Sequence, residues 1–186
     1  MPSIKRLKTP LTEEKIKTLR VGQRTLISGV IYTARDAAHK RLISAIDAKE
    51  KLPIPIDGQI IYYAGPSPTR PGEIIGSAGP TTATRVDVYT PKLLANGLKG
   101  MIGKGYRTLE VRSAMKNYGA IYFVTVGGAA ALISQRITAV ETIAYEDLGT
   151  EAIRRLTVED FPVLVANDFY GADLFESGRH QYKREG

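Results

Sequence analysis

The chain has no cysteine, no tryptophan and only two histidines in 186 residues. Without cysteine there is no disulfide framework, no thiolate nucleophile and no thiolate ligand for a metal. His39 and His180 lie too far apart in sequence to form a metal-ligand pair by spacing, so no metal site is expected on this chain. No apolar run approaches the length of a membrane span. The opening Met1-Pro2-Ser3-Ile4-Lys5-Arg6 lacks the apolar core of a secretory leader. A cytoplasmic protein without membrane contact is the expectation.

What is present is ordinary for a globular chain: 43% hydrophobic and 24% charged residues. The length fits one domain over residues 1–186, with a core that needs no covalent staples. The net charge of +7 is concentrated at the ends, in Lys5, Arg6, Lys8, Lys15, Lys17, Arg20 and Arg24, and again in Arg179, Lys183 and Arg184. The middle has no dense basic stripe with interleaved aromatics, as a single-strand platform requires, so nucleic acid is a minor alternative. A solvated basic surface, or contact with an acidic partner subunit, is the leading reading of the charge.

Helical and strand patterns alternate along the chain. Thr12 caps a short polar helix over Glu13 to Arg20, and the β-branched run Gln23 to Tyr32 reads as a strand. Asp36 is expected to cap a helix with Ala38, Leu42, Ala45 and Ile46 on its apolar face. Ile60 to Ala64 is a short strand, and Thr90-Pro91 marks a helix start with Thr90 as its cap. Gly100 to Gly105 is a glycine-rich segment, followed by a helix near Ser113 to Tyr118 and a buried strand, Ala120 to Val126. Gly127-Gly128 turns into a further helix. Ile137 to Tyr145 reads as a strand, Glu151 to Leu156 as a small helix, and Pro162 to Ala166 as a last buried strand. An α/β domain of several layers follows.

The segment Gly79-Pro80-Thr81-Thr82-Ala83-Thr84-Arg85 stands out. A tight Gly-Pro turn presents two adjacent hydroxyls, backbone N–H groups and a guanidinium, which is what a small carboxylate or phosphate needs. The same residues also suit a plain capped turn. Arg35-Asp36-Ala37-Ala38-His39-Lys40 lies where a strand gives way to a helix, a place where open α/β folds bind ligands. There Arg35 either grips an anion or is a surface side chain, and His39 and Lys40 read as solvated. Gly103-Lys104-Gly105 could hold a cation among flexible N–H groups, but it is no P-loop: Leu98 stands at the first glycine position and Gly105 at the hydroxyl position. Gly127-Gly128 lacks the third glycine of a dinucleotide turn, and tight helix–strand packing explains it better. Asp168, Asp173 and Glu176 read as an acidic surface loop rather than a cation site, and His180 as exposed.

Taken in order, these segments, with Ile102-Gly103-Lys104-Gly105, Gly127-Gly128-Ala129-Ala130, Gly149-Thr150-Glu151-Ala152 and Phe161-Pro162-Val163-Leu164-Val165, resemble the β subunit of iron–sulfur class I fumarases and the related tartrate dehydratases. The resemblance covers roughly residues 22–175, leaving the basic N-terminal segment and the tail outside it. It implies a swivelling β/β/α domain. It further implies a cysteine-bearing α subunit that holds a [4Fe-4S] cluster, in a complex with two copies of each subunit. By matching residue it implies that Arg35, Arg85 and Lys104 bind the substrate carboxylates, that Thr82 hydrogen-bonds the substrate, and that Thr81 is the proposed base. A hydroxyl alone is a poor base, so Thr81 would act with help from the partner. The expected reaction is reversible dehydration of (S)-malate to fumarate; the alternatives are tartrate to oxaloacetate, or a basic module binding an anion or nucleic acid without catalysis.

Overall fold

The computed structural model describes residues 4–125 and 130–182. Seven strands form one mixed sheet: β1 (Lys5–Lys8), β2 (Arg24–Thr33), β3 (Ile60–Tyr62), β4 (Gly100–Gly103), β5 (Ile121–Val124), β6 (Ile137–Ala144) and β7 (Ile153–Asn167). The order is β1-β2-β3-β4-β5-β7-β6, and β2 also pairs with β7, so five of the strands close into a ring. β1 to β5 run parallel, and β7 is antiparallel to β2, β5 and β6.

The two long strands make closure possible. The first half of β2 pairs with β1 and its last residues with β3, while β7 passes from β6 to β5 along its length. The β2–β7 register shifts between Ile27 and Gly29, where the Asp160 N–H donates to Ser28 Oγ. A bulge of this kind bends both strands where they change neighbours.

Alternation along the parallel strands builds two apolar cores. Ile60, Tyr62, Ile102, Ile121 and Phe123 face one cluster, with Ile27, Leu156 and Phe161. Ile61, Tyr63, Met101 and Tyr122 face the other, which is covered by α2 (Asp36–Asp47), α3 (Thr90–Ala95) and α4 (Leu109–Tyr118). Strands buried on both faces read as near-continuous apolar runs. α2 meets its core through Ala38, Leu42 and Ala45, and α4 through Val111, Ala114 and Met115, both at helical spacing. The layered α/β class expected from the sequence is the one found.

α1 (Glu13–Lys17) follows its Thr12 cap, whose Oγ1 accepts from the Lys15 N–H, and stops short of Arg20. Several local expectations are corrected. Asp36 is no cap: Arg35 holds the N-cap position without a side-chain bond, and Glu151 accepts the Ala37 N–H from across the fold at 2.9 Å. Thr90 is the first residue of its helix, and its hydroxyl turns inward to donate to Val86 O. The first four residues of the glycine-rich segment, Gly100 to Gly103, form a buried strand.

Residues 151–156 are not a helix. A 3₁₀ turn, Glu146–Glu151, ends there and β7 begins at Ile153. The three-residue spacing of Ile153 and Leu156 imitates a helix, and pairing with β2 and β6 overrides it. β1 and α6 (Leu174–Tyr182) have no counterpart in the sequence reading. α5 (Ala130–Ser134) follows the Gly127-Gly128 turn, which lies outside the described residues, as do the His180 side chain and the basic tail. Among the described residues, no helix is long and apolar enough to cross a membrane.

Candidate active site

The Gly79-to-Arg85 segment is tied to the C-terminal ends of β3 and β4. The Thr81 N–H and hydroxyl both donate to Tyr63 O, at 2.7 and 2.9 Å. The Lys104 N–H donates to Thr81 O at 3.1 Å, and the Ala83 N–H donates to Lys104 O at 3.0 Å, so Thr82 and Lys104 pair as a parallel bridge. Two buried tyrosines brace the ends: Tyr62 donates to Ala78 O, and Tyr122 donates to Gly105 O at 2.9 Å. Burial raises the pKa of both phenols, so each stays a protonated donor. Gly103 is required by close approach, because a Cβ there would stand 2.8 Å from Tyr63 Cδ2. The result is a stiff platform carrying Thr81, Thr82, Arg85 and Lys104.

The cations on this platform differ from their neighbours. Arg85, on the 3₁₀ turn Ala83–Val86, and Lys104 are exposed, and neither forms an ion pair among the described residues. Beneath them lies Arg107, 2% exposed. Its Nε donates to Asp87 Oδ1 at 2.8 Å, Nη2 to Thr90 Oγ1 at 2.9 Å, and Nη1 to the Tyr63 hydroxyl at 3.1 Å. The rings of Tyr63 and Tyr122 lie within 5.3 and 4.8 Å of its guanidinium carbon. Asp87 Oδ2 accepts the Thr108 N–H. This buried pair fastens the segment bearing Arg85 to the segment bearing Lys104. Asp87 and Arg107 were not singled out in the sequence, since charged residues in such loops read as solvated.

Arg35 reaches the same end of the sheet. Ala64 bridges Pro80, and the Arg35 side chain lies over the neighbouring Gly65, where a Cβ would meet its Cδ and Nη1 at 2.9 Å. Arg35 is therefore brought toward the Gly-Pro-Thr-Thr stretch, which is extended and bridged to Ala64 and Lys104 instead of forming the expected tight turn, and lies 3.6 Å from Glu151. Its buried Nε has no hydrogen-bond partner among the described residues.

His39, expected to be solvated, is fully buried against Tyr63 and Tyr89. Its Nδ1 lies 2.8 Å from Arg35 O, which places the proton on Nδ1. Burial lowers its pKa to about 4, the Arg35 carbonyl opposing and the Arg107 charge reinforcing the shift.

The acidic residues near the C-terminus are structural. Asp173 caps α6 by accepting the Phe175 and Glu176 N–H groups, and Asp168 accepts those of Val21, Tyr170 and Ala172. Both are buried, so they form no surface loop. Among the described residues, no three His, Asp or Glu side chains could hold one metal ion, and the chain has no cysteine. Nothing among the described residues fits an iron–sulfur cluster.

The model of the fumarase C-terminus family matches residues 3–178. This chain belongs to that family. It is 39% identical, over 91% of its length, to an aerobic class I fumarate hydratase of Salmonella typhimurium, and 42% identical, over 84%, to one of Escherichia coli. It spans only 30% and 29% of those two relatives. By contrast, it is 35% identical to a putative L(+)-tartrate dehydratase subunit beta of Methanocaldococcus jannaschii and covers 88% of that chain. The family match begins before Gly22 and takes in β1.

Proposed function

We propose that this chain is the substrate-clamping β subunit of a two-subunit hydro-lyase that interconverts (S)-malate and fumarate. The observation that carries the reading is the platform of two threonines and two cations without an ion-pair partner among the described residues, with Arg35 beside it, in a member of the fumarase C-terminus family. A dicarboxylate held through Arg35, Arg85 and Lys104 has its reacting carbons fixed before chemistry begins. Thr82 is the neutral hydrogen-bonding group of the reading. Thr81 is its proposed base for the C–H proton on the carbon beside the leaving hydroxyl, and because the neutral Thr81 O–H is donated to Tyr63 O, that hydroxyl must give up its own proton before it can take the substrate's. A backbone carbonyl cannot carry that proton away, so another group must relay it. A cluster on the α subunit would supply the Lewis acid for the departing hydroxyl.

One feature supports completion by a partner: Arg85 and Lys104 are exposed, with no ion-pair partner among the described residues.

The second reading, tartrate dehydration to oxaloacetate by the same clamp, is favoured by one observation: the chain matches a tartrate dehydratase β-subunit relative over nearly its whole length. Turnover of malate and of each tartrate isomer by one anaerobically reconstituted complex separates the two. Malate turnover is expected to be the faster; a complex that turns over only tartrate moves the function to the second reading, and malate turnover by the single chain without iron refutes the two-subunit account.

A further inference from the structure

We propose that Glu151 is the positioning residue of the Arg35 anion clamp, an inference that rests on reading Arg35 as a carboxylate-binding group. Glu151 lies 114 positions along the chain from Ala37, yet its Oε2 accepts the Ala37 N–H at 2.9 Å while Oε1 stands 3.6 Å from Arg35 Nη2. One carboxylate thus holds the first turn of α2 and the guanidinium that precedes it. The separation of 3.6 Å is longer than a charge-assisted hydrogen bond of about 2.8 Å. The pairing therefore orients Arg35 by charge and leaves its donors uncommitted, consistent with the buried Nε that has no partner among the described residues.

The turn that presents Glu151 is itself anchored. Arg154 donates to the carbonyls of Gly149, Thr150 and Ala152 at 2.9, 3.2 and 3.3 Å, and Arg41 on α2 pairs with Asp147 at the other end. From the remaining sides, Arg35 is bounded by Gly65 and by the His39 contacts on its carbonyl. Arg154 thus holds the turn through its carbonyls, and the turn presents Glu151 to Arg35. A side chain held from several directions in one rotamer is what a preorganised anion site needs. The half-buried setting, with Arg35 23% and Glu151 25% exposed, separates this pair from a solvated surface bridge.

Two measurements test it. In the 186-residue chain labelled with ¹⁵N, the Arg35 Nε–H signal, identified by its loss in Arg35→Lys, is expected to exchange with water slowly, and Glu151→Gln to speed that exchange about tenfold. In the reconstituted complex, Glu151→Gln is expected to raise KM for the dicarboxylate about tenfold with kcat within about twofold, and to have no further effect on KM in an Arg35→Ala background. A merely structural role would lower the melting temperature and leave that coupling absent.

Wild-type Nε–H exchange in Glu151→Gln overturns the proposal, and so do KM effects that multiply in the double variant. If the complex turns over neither malate nor tartrate, the functional reading fails, and the exchange measurement alone decides the role of Glu151. If Glu151→Gln does not fold, Glu151→Asp carries both measurements, and wild-type values in it overturn the proposal.

Discussion

Arg85 and Arg107 sit on adjoining segments at one end of the sheet, and they are opposites. Arg107 is buried, its donors spent on Asp87, Thr90 and Tyr63 and its faces covered by two tyrosine rings. Arg85 is exposed and has no carboxylate partner among the described residues. Removing a charge from water is affordable only when its partners are complete, so Arg107 is committed to structure. A cation on the platform with no partner remains free for a ligand, and Lys104 is a second of the same kind. His39 shows the third arrangement, a basic ring so fully buried that desolvation outweighs the pull of the Asp36 charge and holds it neutral. What separates the anion-ready cations from the rest is their partnering.

The sharpest way to break this comparison is to exchange the consequences of the two arginines. Arg107→Leu leaves Asp87 buried and uncompensated, and is expected to cost about 3–5 kcal/mol in urea unfolding. A loss no larger than that of a surface substitution would remove the distinction.

The neutral state of His39 gives the next largest effect, of about 3 kcal/mol. Its folded pKa of about 4 lies below the ordinary 6.5, so between those values the unfolded chain binds the extra proton. The contribution is complete above pH 6.5 and is lost as pH falls toward 4. Thermal melts across that window should show the wild-type chain losing stability relative to His39→Gln, and parallel curves would mean that the ring is not held neutral.

A smaller effect sharpens the comparison on its exposed side. Lys104→Met should leave the melting temperature nearly unchanged and lower kcat/KM of the complex about tenfold, since it removes one charge from the clamp without leaving another unpaired. An equal loss of stability and activity would class Lys104 with Arg107.

How much of this was legible in the sequence depended on the range of the interaction. β2, β3, β5 and β6 could be read from runs of β-branched and aromatic residues, whose two-residue period is local. The Gly79 to Arg85 segment was legible as a candidate site, yet its expected Gly-Pro turn is an extended stretch bridged to Ala64 and Lys104, and the chain turns only from Ala83. The start of β7 was not, because Ile153 and Leu156 suit either period and only the neighbours β2 and β6 decide between them. Nor was the Asp36 cap correct, since the carboxylate that serves α2 arrives from Glu151. The Arg107–Asp87 pair was hidden for the same reason: the sequence shows two charged residues in loops, and the two tyrosines that cover Arg107 come from two distant segments. His39 was misread because its exposure depends on Tyr63 and Tyr89.

The most direct test of the central claim is malate dehydration, followed as ultraviolet absorbance of fumarate, by the anaerobically reconstituted complex of this chain with the proposed cysteine-bearing α subunit, wild type against Arg85→Ala. The account predicts a fall of about 100-fold in kcat/KM, with assembly, cluster content and melting temperature unchanged. Full activity in that variant, with the complex properly assembled, would contradict it.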